Sequence, residues 1–483
     1  MINEKALDER LTALEAAKAW SPRVVSRLET LLRSGAEETL FRINPIRFAA
    51  ERAIAEAEAI DLFLHGTVVG LFEMDWLLLC PMCSDVVESF RSLTHLHSHY
   101  HCSLCQSDYH AALDDYIAVT FTVSPAVRSI RFHEPQSLSV EDYAFLYKAT
   151  AEGMTPDGVP WVEIIKTIIR ALTRLKPGTT AELEIDAAEG VLLGFDMESD
   201  ANFAFTVEGE PAPQPQRVPI SFGLGACTPA AGTLAPGKVI FDVRNTTAAR
   251  TGIFGVLQLP PGVPPRGMLK FQPFLSGKRL LMTQTFRDFF RSEVIKATEG
   301  IAIRDVTLLF TDLKGSTALY QRIGDLNAYM QVQRHFERLL DVTVRHQGAV
   351  TKTIGDAVMA AFLTPADALS AAIEMREAVE ELNRDRPQRD FILKIGMHKG
   401  AAIAVTLNDR LDYFGQTVNI AARVQNLAGG DEICLTEDVH EAPGVCEILK
   451  PYTARRVETE LKGVDQRTVV HLVGAAQTSS PET

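Results

Sequence analysis

Two aspartates in different parts of the chain could share one metal site. The apolar run LLFT ends on Asp312, and a short turn with Gly315, Ser316 and Thr317 follows. Asp356 lies in KTIGDAVMAAF, between two further apolar runs. Neighbouring carboxylates repel each other, and a divalent cation between them removes that cost. The N–H groups from Lys314 to Thr317, at a predicted helix start, could hold phosphates. The pattern predicts a site for Mg²⁺ and a nucleoside triphosphate; the alternative is an ordinary capped turn.

The elements that would position these aspartates alternate between strand and helix from residue 303 onward. The sequence predicts a strand at DVTLLFT, a helix at DLNAYMQVQRHFERLLDVTVRHQ, a hairpin with Gly355-Asp356 at its turn, a helix over 366–383 and a strand at FILKIGMH. This β-α-β-β-α-β order is typical of the ferredoxin-like fold, which brings the first strand and the hairpin together. Asp312 and Asp356 should therefore meet at one sheet edge. A last helix is predicted near 415–428.

Three motifs in this region carry a family resemblance. FTDLKGST, KTIGDAVMAAF and LDYFGQTVNIAAR, in this order, resemble the catalytic domain of class III nucleotide cyclases over roughly 303–473. The resemblance implies that Asp312 and Asp356 bind two Mg²⁺ or Mn²⁺ ions, helped by the backbone carbonyl of Leu313. In such a site the ribose 3′-oxygen attacks the α-phosphorus of the nucleotide and pyrophosphate leaves.

The resemblance also implies which residues recognise the purine. Lys352 would donate to adenine N1, and Asp412 would accept from the exocyclic amine. Adenine presents an acceptor beside a donor, and guanine reverses that order. A Lys and Asp pair therefore favours ATP as substrate, with GTP as the alternative.

The remaining substrate contacts follow from the same motifs. By resemblance, Asn419 would orient the ribose, Arg423 would neutralise charge on the α-phosphate, and Lys462 would contact the triphosphate. Lys394 stands where the family often has Arg, which keeps the charge but loses the bidentate fork. In the family, the metal aspartates and the Asn/Arg pair come from opposite subunits of a head-to-tail dimer. We therefore expect a homodimer with two equivalent sites.

Four cysteines form a second candidate metal site. Cys80 and Cys83, and Cys102 and Cys105, are two CxxC pairs separated by 18 residues. This spacing fits a zinc ribbon in which four thiolates close one structural, tetrahedral Zn²⁺ site. A redox pair is the alternative, although no thioredoxin-like pattern surrounds either CxxC. Alternating histidines in HLHSHYHC could substitute as ligands, but we expect them to be solvated or to support the cysteines: His95, His97, His99 and His101.

The chain as a whole is predicted to be an α+β, multidomain protein. We expect a helical region over 1–75, a zinc ribbon over 76–116, a β-rich, sandwich-like regulatory domain over 117–280 with a helix near 160–174, a helical connector over 281–302, the cyclase domain over 303–475 and a disordered tail over 476–483. The amphipathic helix predicted over 283–300 should carry Phe286, Phe289, Phe290 and Val294 on one face. WLLLCPMC, HCSLC and FTVSPAVR resemble a domain of uncharacterised function that is fused to some bacterial class III cyclases.

Composition limits the possible partners and locations. The chain has 483 residues with 46% hydrophobic content and a net charge of −14, which argues against nucleic-acid binding. This also disfavours the alternative of a zinc-dependent nucleic-acid binder. No apolar run reaches the length of about 18 residues that spans a membrane, and MINEKALDER lacks a signal-peptide core. We expect a cytoplasmic homodimer that converts ATP to cyclic AMP, regulated by an unknown ligand or protein; the alternative is a non-catalytic nucleotide-binding module.

Overall fold

The chain separates into two units by its internal contacts. The computed structural model describes residues 2–114, 116–262, 268–291, 293, 300–384, 389–407, 410–463 and 467–476. The first unit comprises residues 1–91, 99–111 and 116–275, and the second comprises 92–98, 112–115 and 276–483. Within the described part of the chain, no helix combines the length and the apolar character needed to cross a bilayer.

The first unit begins with helices that bury one apolar stripe each. They are α1 (Glu4–Ala17), α2 (Val24–Ser34), α3 (Pro45–Arg52) and α4 (Glu56–Val68). Leu7, Leu11 and Leu14 lie one helical turn apart on α1 and are buried, as the helical spacing predicts. Asn3 and Asn44 cap α1 and α3 by accepting backbone N–H groups.

Two small sheets follow these helices. The strands are β1 (Phe72–Leu79), β2 (Val86–Phe90), β3 (His99–Cys102), β4 (Ser107–His110) and β5 (Ile117–Val123). Strands β2, β1 and β5 form one antiparallel sheet, and β3 pairs with β4. The strand at 117–123, which the sequence analysis grouped with the β-rich region, therefore pairs with β1 instead.

A β-sandwich forms the rest of the first unit. After the short α5 (Val140–Asp142) and β6 (Gly153–Met154), its elements are α6 (Trp161–Ile168), β7 (Ile169–Leu175), β8 (Thr180–Ala187), β9 (Gly190–Asp196), β10 (Asn202–Val207), β11 (Gln216–Phe222), β12 (Cys227–Thr228), β13 (Ala231–Leu234), β14 (Gly237–Asn245) and β15 (Gly252–Leu259), with β16 (Lys270–Phe271) beyond. The sheet orders are β13-β10-β9-β15-β7 and β12-β11-β14-β8. Phe203 of the first sheet and Phe241 of the second lie 4.9 Å apart between ring centroids in the shared core. The predicted sandwich is confirmed.

The helix predicted near 160–174 is wrong beyond Ile168. Residues 169–175 form β7, an edge strand that pairs with β15. The segment contains β-branched Ile169 and Thr173, and backbone pairing with β15 outweighs the helical pattern that continues from α6.

The second unit contains the ferredoxin-like arrangement. Its elements are α7 (Gly277–Leu281), α8 (Gln284–Phe289), β17 (Ile301–Leu313), α9 (Ser316–Ile323), α10 (Asp325–Arg345), β18 (Ala349–Ile354), β19 (Ala357–Phe362), α11 (Pro365–Arg384), β20 (Leu393–Leu407), β21 (Arg410–Phe414), α12 (Gln416–Leu427), β22 (Ile433–Thr436), α13 (Glu437–His440), α14 (Val445–Leu449), β23 (Tyr452–Glu460) and β24 (Arg467–Ala476). The sheet order is β18-β19-β17-β20-β22-β24-β23, with β21 on β20. The predicted β-α-β-β-α-β order is confirmed.

The helix predicted over 283–300 is shorter than the pattern indicates. Helix α8 ends at Phe289, and Val294 lies outside the described residues. Phe286 is buried and stacks on Phe290, whereas Phe289 is 44% exposed. The prediction that all these apolar side chains share one buried face is therefore wrong. Helix α8 has only six residues, and Phe286 is its one buried side chain.

Candidate active site and candidate metal centre

The two predicted metal-binding aspartates lie at one edge of the sheet. Asp312 is the last residue but one of β17, and Asp356 lies in the β18–β19 turn, where Gly355 has φ of 64°. Because β17 pairs with β19, the two carboxylates are neighbours. Burial raises the pKa of Asp312, the Asp356 charge raises it further, and Lys394 opposes both. Asp356 Oδ2 is buried without a hydrogen-bond partner among the described residues.

This carboxylate pair fits a divalent cation. An unpaired buried carboxylate oxygen is costly, and two adjacent carboxylates disfavour each other's charged forms. Both costs disappear when a cation is bound between them. Hard oxygen ligands of this kind suit Mg²⁺ or Mn²⁺.

The turn after Asp312 offers backbone N–H groups. Gly315 has φ of 83°, in the left-handed region that favours glycine, and α9 begins at Ser316. The first N–H groups of α9, including that of Thr317, have no partner within the helix. The N–H of Lys314 is not available, because it donates to the Ile392 carbonyl at 2.9 Å. The side chain of Leu313 is buried in the core.

The predicted purine pair is assembled within one chain. Lys352 lies on β18 and Asp412 on β21, and the Lys352 Nζ to Asp412 Oδ2 distance is 2.5 Å. The second oxygen of Asp412 accepts the N–H of Tyr413 at 2.8 Å. The Asp412 side chain is 9% exposed and that of Lys352 is 36% exposed, so the pair is anchored at the carboxylate and open at the ammonium.

Asn419 and Arg423 lie one turn apart on α12. Asn419 is exposed and Arg423 is half-buried. Helix α12 packs closely on β20, because a Cβ on Gly396 would lie 2.1 Å from the Gln425 backbone nitrogen. A larger residue than glycine at position 396 would therefore displace the helix that carries both residues.

The two predicted phosphate lysines lie in different places. Lys394 on β20 is the cross-strand partner of Asp312, next to the carboxylate pair. Lys462 is exposed in the turn after β23. A Cβ on the adjacent Gly463 would lie 3.5 Å from the Arg423 guanidinium, so the turn that carries Lys462 passes beside Arg423.

Helix α8 contacts both strands of the purine pair, which the sequence did not indicate. Arg287 Nη1 donates to the Leu411 carbonyl at 3.0 Å, and its Nε donates to the Leu281 carbonyl at 2.7 Å. Gln284 Oε1 accepts the Val350 N–H at 2.8 Å. No motif marks these residues; the only signal was a helix placed directly before the catalytic region.

The four cysteines form a compact cluster in the first unit. The sulfurs of Cys80, Cys83, Cys102 and Cys105 all lie within 4.8 Å of one another. Each CxxC forms the same turn: the N–H of Ser84 donates to the Cys80 carbonyl at 3.0 Å, and that of Gln106 donates to the Cys102 carbonyl at 2.8 Å.

This geometry fits a structural metal centre. Ser84 and Gln106, the residues after the two pairs, both adopt left-handed backbone with φ of 60° and 52°. Three of the cysteines are buried, and four sulfurs at this separation match tetrahedral thiolate ligation. The cluster of possible ligands among the described residues consists of the cysteines alone; His101 Nδ1 instead contacts Asp108 Oδ1 at 2.9 Å.

Two family models match the chain. The model for the adenylate and guanylate cyclase catalytic domain matches residues 300–474. The model for a family of unknown function, DUF5939, matches residues 5–288. The cyclase match covers the whole ferredoxin-like sheet, and the other match covers the helices, the cysteine cluster and the sandwich.

Individual relatives match over part of the chain. Adenylate cyclase 2 of Rhizobium meliloti is 26% identical over 200 residues, which cover 38% of this chain and 54% of the relative. Adenylate cyclase of Anabaena cylindrica is 28% identical over 151 residues, or 28% of this chain and 30% of the relative. The chain thus spans about half or less of the length of these relatives.

A solved structure also matches. The adenylyl cyclase CyaB from P. aeruginosa shares 18% identity, with 37% of this chain and 97% of that chain covered and a TM-score of 0.33.

The DUF5939 model covers more than half of the sequence, and the cyclase model covers most of the remainder. The chain therefore belongs to the DUF5939 family and carries a class III nucleotide cyclase catalytic domain at its C-terminal end.

Proposed function

We propose that the protein is an adenylate cyclase that converts ATP to 3′,5′-cyclic AMP and pyrophosphate. The observation that carries this proposal is the set of two intact pairs in one cyclase domain: the Asp312 and Asp356 carboxylates at the sheet edge, and Lys352 bound to Asp412. A non-catalytic relative would be expected to lack one of these groups. The adenylate cyclase names of the relatives support the same substrate.

The carboxylate pair would hold the metal ions. Asp312 and Asp356, with the Leu313 carbonyl, would hold two Mg²⁺ or Mn²⁺ ions, which when bound would activate the attacking oxygen and stabilise the leaving one. The chain's own contribution is to keep both carboxylates at one edge with an oxygen of Asp356 unpaired. Lys394 beside Asp312 would attract the triphosphate, and the N–H groups of Gly315, Ser316 and Thr317 would hold phosphate oxygens.

The remaining residues would position the nucleotide for in-line attack by the ribose 3′-oxygen on the α-phosphorus. Asn419 would orient the ribose, Arg423 would neutralise the charge that develops on the α-phosphate, and Lys462 would contact the triphosphate. Positioning and charge neutralisation supply most of the rate enhancement in phosphoryl transfer. Loss of Arg423 should therefore lower kcat by roughly 10²–10³-fold.

Adenine selection would rest on the Lys352–Asp412 pair. In the free protein the ammonium is bound to the carboxylate, and the ammonium side is the more exposed of the two. On substrate entry Lys352 would donate to adenine N1 and Asp412 would accept from the exocyclic amine. Guanine has an N–H and a carbonyl oxygen in these positions. Its N–H would oppose the Lys352 ammonium, donor against donor, and its carbonyl oxygen would oppose the Asp412 carboxylate, acceptor against acceptor.

The site would be completed by a second copy of the chain. The family's head-to-tail dimer joins the metal aspartates of one subunit to the Asn/Arg pair of the other. The exposure of Asn419 agrees with such an arrangement. The N-terminal half would regulate this activity, with zinc as a structural ion in the cysteine cluster.

The proposal is tested by measuring cyclic nucleotide formation from ATP and from GTP with Mn²⁺ as the added metal. Wild type should form cyclic AMP from ATP at least about tenfold faster than cyclic GMP from GTP, since one unpaired polar contact costs 1.4 kcal/mol or more. Lys352→Glu combined with Asp412→Cys should shift the preference towards GTP. Unchanged ATP selectivity in that variant would contradict the purine assignment, and nucleotide binding without product in wild type would favour a non-catalytic module.

A further inference from the structure

The first unit contains a cavity unrelated to the cyclase residues. It has a volume of about 140 Å³ and borders one face of the β2-β1-β5 sheet. Leu77 and Leu79, two residues apart on β1, line it together with Ala118, the cross-strand partner of Leu77 on β5. An apolar cavity of about 150 Å³ accommodates a benzene-sized molecule. This part of the cavity is therefore suited to the apolar body of a small ligand.

One wall of the cavity carries an arginine that lacks an ion pair. Arg42 is half-buried and lines the cavity, and its Nη1 donates to the Tyr147 carbonyl. The charges of Asp75 and Asp85 act on Arg42 only from beyond ion-pair distance, and Asp75 contacts Arg91 Nε at 3.1 Å. Burial lowers the pKa of Arg42, but a guanidinium keeps its charge at neutral pH. A largely desolvated charge without a counter-ion is costly, which indicates a missing anion.

The free edge of this guanidinium has the geometry that a carboxylate requires. Nε and Nη2 of Arg42 have no hydrogen-bond partner among the described residues, and both retain accessible surface. Their N–H groups point in parallel from one edge of the planar group, and this fork can bind both oxygens of one carboxylate. The nitrogen that the Tyr147 carbonyl occupies, Nη1, lies outside that edge. The protein contact therefore leaves the bidentate edge open.

The backbone and two aromatic rings hold the guanidinium in place. Arg42 has φ of 49°, in the left-handed region that is uncommon for residues other than glycine, and its N–H donates to Thr122 Oγ1 at 3.2 Å. The guanidinium carbon lies 4.8 Å from the ring centres of Phe41 and Tyr147. Strained backbone of this kind is often found at ligand-binding positions. A side chain fixed in this way loses less conformational entropy when a ligand binds.

The other charged side chains that line the cavity have partners. Glu38 Oε1 accepts from Arg131, and Glu152 Oε1 lies 3.2 Å from Arg47 Nη2. The Arg47 side chain is 44% exposed, which places it where the cavity meets solvent. Among the described residues of the lining, Arg42 is therefore the one charge without a partner. This balance favours a ligand with a single negative charge.

We propose that this cavity binds a small organic monocarboxylate, with its carboxylate on Nε and Nη2 of Arg42 and its apolar body against β1 and β5. Aromatic side chains would surround that body: Phe41, Phe132, Phe145 and Phe274. The volume limits the apolar body to roughly the size of one benzene ring. This site is independent of the cyclase proposal, because its evidence lies wholly in the first unit.

Three probes test the proposal on the full chain. Benzoate carries both recognised groups, benzamide keeps the ring and the shape without the charge, and acetate keeps the charge without the ring. Isothermal titration calorimetry at low ionic strength should show benzoate binding at least about tenfold more tightly than either of the others, because the charged contact and the burial of the ring each contribute that much. Equal affinity of benzoate and either control, or no binding of benzoate, would overturn the proposal.

The Arg42→Met variant should lose the preference for benzoate over benzamide. Methionine keeps an apolar stem along the cavity wall and carries no charge. Arg23→Met is the matched control, because Arg23 also has left-handed backbone, with φ of 70°, but is exposed and lies outside the cavity lining. This control should keep the wild-type order of the three probes. A folded Arg42→Met variant that retains the benzoate preference would contradict the assignment; if that variant does not fold, the wild-type comparison decides alone.

Discussion

At the scale of single residues, the proposed active site consists of groups whose partners are incomplete. Asp356 keeps an unpaired buried oxygen, and the pKa of Asp312 is raised by burial and by Asp356. Lys352 and Asp412 form an ion pair with each other, and under the proposed function a purine would take the place of that contact. These unpaired and mutually repelling groups destabilise the free protein locally, and bound metal and substrate would supply the missing partners. Such local destabilisation is common at functional sites.

The residues of this site were largely predictable from sequence because short motifs place them. The carboxylate pair and the Lys352–Asp412 pair are adjacent as expected. The prediction that the Lys314 N–H holds phosphate is wrong, because this N–H donates to the carbonyl of Ile392, which lies far along the chain. The hydrogen bond from Arg287 to the Leu411 carbonyl could not be predicted either, because every residue has a backbone carbonyl and no residue type identifies this acceptor.

A buried histidine should make folding stability sensitive to acid. His335 on α10 is 0% exposed, stacks on Phe391 and has no hydrogen-bond partner for either ring nitrogen among the described residues. Burial lowers the pKa of His335 from 6.5 to about 4. Between about pH 7 and 4 the His335 side chain is protonated more fully in the unfolded chain than in the folded one. The free energy of unfolding therefore falls as the pH decreases over this interval.

Replacing this histidine should remove that acid sensitivity. Urea unfolding at pH 7.5 and pH 5.5 should show that His335→Phe loses less stability than wild type over this interval, by about 1 kcal/mol. His346→Phe is the matched control, because His346 is paired with Glu374 at 2.6 Å. An equal loss in wild type and His335→Phe would show that His335 does not carry the effect.

At the scale of elements, α8 should support the strands that carry the proposed purine-binding pair. Arg287→Ala removes donors to two carbonyls, including that of Leu411 beside Asp412. We expect the KM for ATP to rise about tenfold with a smaller change in kcat, since a hydrogen bond from a charged group contributes about 1.5–3 kcal/mol. Arg287→Lys should not restore the wild-type KM, because one ammonium cannot reproduce the planar fork.

The matched control for α8 is Arg338→Ala, at an exposed position on α10. This variant should keep the wild-type KM and kcat for ATP. We expect a rise in KM of about tenfold for Arg287→Ala. A KM within about twofold of wild type would show that α8 does not contribute to purine recognition.

The cysteine cluster should depend on bound metal for its stability. Cys80→Ser should lower the zinc content of the purified protein and its unfolding temperature, because structural zinc sites contribute folding free energy directly. Cys446→Ser changes an exposed cysteine outside the cluster and should leave both quantities unchanged. Full zinc content with unchanged stability in Cys80→Ser would contradict four-thiolate ligation.

The elements differ in how far sequence alone determines them. The hairpin around Gly355 and the helices α10, α11 and α12 follow from turn residues and apolar spacing. Strand β7 was missed because tertiary pairing with β15 decides its conformation. The pairing of β5 with β1 was also hidden, since the cysteine segment separates the two strands in sequence.

At the scale of the whole molecule, the proposed enzyme would need two copies of the chain. Each copy would supply the metal aspartates to one site and Asn419 with Arg423 to the other, as the two-fold arrangement of the family implies. The sequence predicted this division by resemblance, and the exposure of Asn419 in a single chain agrees with it.

The central claim is tested most directly by complementation between two inactive variants, Asp312→Asn and Arg423→Ala, assayed for cyclic AMP with ATP and Mn²⁺. Each variant alone should lose at least about 10²-fold in rate. Co-expressed in equal amounts, they should recover about a quarter of wild-type activity, because half of random dimers pair the two variants and hold one intact site. Absence of product from wild type at concentrations where dimers form, or absence of recovery in the mixture, would contradict the account.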